Sequence, residues 1–170
     1  MVFVCSSLHK TGPGFRTLPV IIVMLICWIL VCRKPTQIFS SVGSIASPEF
    51  KNRRHYPDNM DCVWNIATPP GTRIKLKLLA MSIQRCSRIG TGNACSCDFL
   101  EIRDGNRSSD RLLATLCGNE LVGDLFSSGR HLWLRFKSDE NVTGSGFMAL
   151  FSSSPIVKGT ILLKFLLLFF

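Results

Sequence analysis

Apolar and polar residues alternate with period two along several short stretches in the middle of the chain. In Arg73, Ile74, Lys75, Leu76, Lys77 and Leu78 the aliphatic side chains fall on one face and the cations on the other, the pattern of a half-buried strand. Leu132, Leu134 and Phe136 alternate in the same way with His131, Trp133, Arg135 and Lys137, and Phe147, Ala149 and Phe151 repeat the spacing. Residues 63–66 and 99–103 also fit strands. Turn-forming residues separate these stretches: Pro69, Pro70 and Gly71; Asp104, Gly105 and Asn106; Ser127, Ser128 and Gly129; Gly144, Ser145 and Gly146. Short strands with such turns and no helical periodicity predict an all-β fold, a two-sheet antiparallel sandwich.

The two ends follow a different pattern. Residues 18–32 are almost unbroken in their apolar character, with Lys10 and Arg16 before them and Arg33 and Lys34 at their end. This is the layout of a secretory signal. Leu30, Val31 and Cys32 lack the small-x-small pattern that a signal peptidase prefers, so an uncleaved signal-anchor is the alternative. About fifteen residues rising about 1.5 Å each span roughly 22 Å, short of the roughly 30 Å of a bilayer core. At the other end Ser152, Ser153 and Ser154 precede a short spacer and the apolar run 161–170, broken by Lys164. That order suits a lipid-anchor signal, or a divergent terminus too short to cross a membrane as a helix. The expected organisation is a signal peptide or signal-anchor over 1–32, a linker over 33–41, one domain over 42–152, and a spacer with an apolar tail over 153–170. The domain is expected outside the cell, secreted or held at the membrane.

Charge sharpens this division. The formal net charge is +9, yet all 11 acidic residues lie within residues 49–140, whereas Lys10, Arg16, Arg33, Lys34, Lys158 and Lys164 flank the apolar ends. The basic balance therefore belongs largely to the ends, and no nucleic-acid partner is expected. Two local basic clusters exist, Lys51, Arg53 and Arg54, and Arg73, Lys75 and Lys77. Glycan or polyanion binding through them is a third alternative, not the expected function, and predicts strong salt dependence.

A series of blocks in the middle resembles the CUB domain family. Residues 43–50 look like its opening; Tyr56 and Pro57, then residues 61–66, resemble its next block; Pro70 and Gly71 precede a strand as in that family. Residues 95–105 resemble its Cys-x-x-Asp-x-Leu-x-Ile-x-Asp-Gly segment. Leu112 and Leu113, Cys117 and Gly118, residues 127–129, 136–139 and 146–151 then follow in family order. The resemblance implies a jelly-roll-like two-sheet β-sandwich that acts as a non-catalytic extracellular module binding another extracellular or cell-surface protein. The alternative is an accessory or regulatory CUB fragment acting with an extracellular protease.

The chain has eight cysteines, and a secretory context favours disulfides. The resemblance implies a pair between Cys95 and Cys117. It also implies an upstream partner for Cys62, for which Cys32 is the nearby candidate. Cys86 and Cys97 depart from the family pattern and bracket an inserted stretch; an additional bridge between them is the simplest account. A thiolate metal site at Cys86, Cys95 and Cys97 is the alternative, but structural zinc generally takes four ligands and no histidine lies nearby in sequence.

Many CUB domains bind calcium through a Glu and two Asp residues. Carried over by position, the aspartates are Asp98 and Asp139, and the Glu position holds Gln84. Calcium takes oxygen ligands, so a neutral amide there removes charge but keeps a carbonyl. Otherwise Asp98 and Asp139 cap strand ends or pair with arginines. Asp98 shares strand parity with Leu100 and Ile102, so a charge there needs a partner. In the family such sites often receive a lysine of the bound protein. No strand-turn-helix nucleophile elbow or His-Glu-x-x-His sequence is present, and no catalysis is expected. Sequons at Asn106 (Asn-Arg-Ser) and Asn141 (Asn-Val-Thr) lie in predicted turns and mark expected N-glycans. A glycan on Asn141 would crowd the calcium loop.

Overall fold

The computed structural model describes Cys32, residues 34–86 and residues 95–157. The expected apolar N-terminal run up to residue 31, most of the inserted stretch between Cys86 and Cys97, and the C-terminal tail lie outside the described residues.

Nine strands follow in order: β1 (Thr36–Phe39), β2 (Val42–Ala46), β3 (Asp61–Ala67), β4 (Thr72–Ser82), β5 (Phe99–Asp104), β6 (Arg111–Leu116), β7 (Leu125–Phe126), β8 (His131–Lys137) and β9 (Gly146–Pro155). A 3-10 turn at Phe50–Asn52 is the one helical element among the described residues. The strands form two sheets, a five-stranded one ordered β1-β3-β8-β5-β6 and a four-stranded one ordered β2-β9-β4-β7. All pairings are antiparallel except β1 with β3.

The sandwich forms because the alternating side chains of both sheets bury each other. Ile74, Leu76 and Leu78 of β4 meet Phe147, Ala149 and Phe151 of β9 on one inner face, and Leu132, Leu134 and Phe136 of β8 join Leu100 and Ile102 of β5 on the other. These residues are buried in one contiguous core. Aromatic rings bridge the sheets: Trp64 stands edge-on to Phe147 at 5.9 Å between centroids, and Phe136 lies 5.7 Å from Phe147.

The segment 33–41, expected as a linker, instead carries β1. Its hydrophobic signal is weak because only Ile38 of its four residues turns toward the core. The parallel pairing follows from a covalent tie: Cys32 is bonded to Cys62, so β1 and β3 leave the same point in the same direction. At Gly146 the backbone has φ of 88°, and an added Cβ would clash with Ser47, whose hydroxyl accepts the N–H of Phe147. That glycine lets the β8–β9 connection enter β9 beside the β2 end.

Candidate functional site

At one end of the sandwich four segments converge: residues 56–60, the end of β4 running to Cys86, residues 95–98 before β5, and the β8–β9 connection. Asp98 continues the inward parity of Leu100 and Ile102 and is fully buried. Its Oδ2 accepts the hydroxyl of Tyr56 at 2.6 Å, and its Oδ1 accepts the backbone N–H of Asp139 at 2.8 Å. Tyr56, also buried, packs edge-on against Phe136 at 5.0 Å. Its hydroxyl in turn accepts the backbone N–H of Gln84 at 3.0 Å. One phenol thus links the Asp98 carboxylate to the backbone of Gln84.

Further bonds fix the loops. Asp139 accepts the N–H of Asn59 on its carbonyl at 2.7 Å and the N–H of Asn141 on its Oδ1 at 2.8 Å. Ser138, nearly buried, donates to the Pro57 carbonyl and accepts the Met60 N–H. The N–H of Tyr56 donates to the Gly144 carbonyl. On the β4 side, Ile83 and Gly118 exchange backbone hydrogen bonds, which holds Gln84 beside the Cys117 region.

The electrostatics of this corner are unbalanced. Burial pushes the Asp98 carboxyl above the ordinary carboxylate range; the Tyr56 and Asp139 hydrogen bonds oppose that, and the carboxylates of Asp139 and Asp58 add to it. Burial, followed by the Asp98 hydrogen bond, raises the Tyr56 phenol. The side-chain carbonyl Oε1 of Gln84 is buried with no hydrogen-bond partner among the described residues. Among those residues, no three His, Cys, Asp or Glu side chains form a metal-holding group by themselves. The corner instead offers mixed oxygen donors, two carboxylates and an orphaned amide carbonyl, a set suited to a hard cation.

Asp98, Gln84 and Asp139 are therefore brought to one corner. Tyr56 and Asp58 join them, and the alternation pattern could not point to either because both lie outside strands. The described cysteines pair as Cys32 with Cys62, Cys86 with Cys97, and Cys95 with Cys117, at sequence separations of 30, 11 and 22. A thiolate site at Cys86, Cys95 and Cys97 is thereby excluded, since all three sulfurs are in disulfides. Asn106 is exposed after β5, and Asn141 is exposed two residues from Asp139.

Elsewhere, a concavity of about 510 Å³ lies on the outer face of the five-stranded sheet and is lined by Cys32, Pro35, Asp61, Val63, Ser108, Trp133 and Arg135. Arg135 forks onto Asp61 at 2.7 and 2.6 Å. The hydrogen bond from Arg135 holds the Asp61 carboxyl below its ordinary value.

The CUB domain description matches residues 32–151 of this chain. The chain belongs to the CUB domain family. It is 39% identical over 112 residues to cubilin of Rattus norvegicus, covering 65% of this chain and 3% of that protein. It is 33% identical over 113 residues to tolloid-like protein 1 of Mus musculus, covering 66% of this chain and 10% of that protein. The chain thus spans a small fraction of these CUB-containing relatives. Among solved structures, the CUB1-EGF-CUB2 region of human MASP-1/3 superposes with a TM-score of 0.57 at 26% identity, over 69% of this chain and 43% of the other. The match begins at Cys32, so β1 and its disulfide fall within the CUB domain.

Proposed function

We propose that this chain is a non-catalytic extracellular interaction module that docks a partner protein through a calcium-supported loop end. The observation that carries this reading is the buried Asp98 carboxylate, crowded by Asp139 and Asp58, in the same corner as the orphaned carbonyl of Gln84. Asp98 and Asp139 would hold the ion with carboxylate oxygens and Gln84 with its amide oxygen. A bound calcium supplies positive charge where the fold has gathered negative charge. Tyr56 keeps the Asp98 carboxylate oriented, and the Asp139 N–H fixes the β8–β9 connection against it. Both interactions order the exposed loops for a partner that offers a basic side chain.

The charge at this site is lower than a three-carboxylate set would give, so the affinity falls in the range of extracellular modules, about 10⁻⁴ to 10⁻³ M. Calorimetric titration of the purified protein with calcium tests the reading. A saturable heat lost in D98N supports it; no heat up to roughly ten times that range overturns it.

A further inference from the structure

We propose that the outer face of the four-stranded sheet binds a sulfated polysaccharide. On β4, Arg73, Lys75 and Lys77 project from this face at alternate positions, about 7 Å apart along the strand. Neighbouring strands contribute no opposing charge: β2 reads Val-Gly-Ser-Ile-Ala and β9 Gly-Phe-Met-Ala-Leu-Phe-Ser-Ser-Ser-Pro. Cross-strand register sets Ser154 beside Arg73, Ser152 beside Lys75 and Leu150 beside Lys77, with Ser44 opposite Leu150. Phe126 of β7 lies opposite Lys75, its ring 5.1 Å from the Arg73 guanidinium and 6.0 Å from the Lys75 ammonium.

The contrast with the other sheet is what marks this surface. There the three arginines of the strands are paired within the fold, Arg135 with Asp61, Arg103 with Glu101 and Arg111 with Asp104, leaving Lys137 at the end of β8. Here Lys75 alone has an acidic partner, Asp124, and among the described residues neither Arg73 nor Lys77 has one. A straight row of cations beside short hydroxyl side chains and a half-exposed aromatic ring matches a linear polymer. Its repeated sulfates meet the cations, its hydroxyls the serines, and a sugar face the Phe126 ring. Asn106 and Asn141 both lie outside the strands of this sheet.

The experiment uses the chain as produced by a secretory host, with EDTA present so that calcium plays no part and the loop-end reading stands or falls separately. Heparin is the probe, with unsulfated hyaluronan and single-stranded DNA as comparators. Heparin binding is expected at about 0.15 M salt, weakening with added salt along a log–log slope of roughly two to three for three cations. R73S/K77S is expected to weaken it at least about tenfold, while R73K/K77R and the charge-matched control R53S/R54S retain it. Thermal melting establishes that each variant is folded. No retention at that salt, equal loss in R53S/R54S, or single-stranded DNA bound as tightly as heparin would each overturn the proposal.

Discussion

Asp98 is a buried carboxyl with no salt bridge among the described residues, and this fixes the sign of its pH dependence. Its folded pKa is raised, chiefly by burial, so the native state holds a proton that the unfolded chain has already released. Its contribution to stability is therefore present at low pH and lost as pH rises from about 4, the unfolded carboxylate value, through the folded pKa. In D98N this term is gone. The melting temperature of D98N relative to wild type, followed in EDTA, should rise with pH across that window, and millimolar calcium should remove the rise by stabilising wild type alone. A constant difference at all pH values would contradict the assignment. Gln84 gives the complementary test. Q84E adds a carboxylate beside an ion, so calorimetry should show calcium binding tightened about tenfold, equivalent to about 1.4 kcal/mol. In EDTA the same variant should melt lower than wild type, because it adds like charge to a corner already holding Asp58, Asp98 and Asp139.

At the scale of elements, the strands with long strict alternation were legible. In β4 up to its bulge after Leu78, in β8, and in β9 up to Phe151, every second residue is apolar, and those residues are buried. Strand β1 was not legible, because its pairing depends on the Cys32–Cys62 tie and on a single inward residue, Ile38. Trp133 shows another limit: it has outward parity on β8, yet it is only 6% exposed, at the wall of the concavity on that face. The carboxylates of the site were legible through the family pattern. The bond from Tyr56 to Asp98 was not, since it joins residues 42 positions apart. The Cys86–Cys97 bridge has a direct part in this corner, for Gln84 lies two residues before one cysteine and Asp98 directly after the other. The bridge holds the two oxygen donors near each other across the inserted stretch. C86S/C97S should therefore weaken calcium binding about fivefold to tenfold by loss of preorganisation, and lower stability by up to about 3 kcal/mol on the chain-entropy model. Calorimetry and denaturant unfolding separate the two effects. Unchanged calcium affinity with lowered stability would reduce the bridge to a general staple.

For the whole molecule the decisive point is where the folded unit starts. Cys62 is buried in the core, and its sulfur is bonded to Cys32, so the residue that looked like the end of the apolar N-terminal run belongs to the sandwich. Removal of Cys32 would leave a lone buried thiol and detach the start of β1 from β3. A loop of this length contributes roughly 3 to 4 kcal/mol on the chain-entropy model, a large share of the 5 to 15 kcal/mol typical of a domain. Any processing of the N-terminal run is therefore expected upstream of Cys32, leaving the disulfide intact. Non-reduced peptide mapping of the protein produced in a secretory host should yield one fragment joining the peptides of Cys32 and Cys62, with Cys86–Cys97 and Cys95–Cys117 as the other linked pairs. The same digest reads glycan occupancy at Asn106 and Asn141. A mature chain beginning after Cys32, with Cys62 alkylated as a free thiol, would show that β1 is dispensable. C62S should then melt at the temperature of wild type, whereas an intact bridge predicts a fall of several degrees or more.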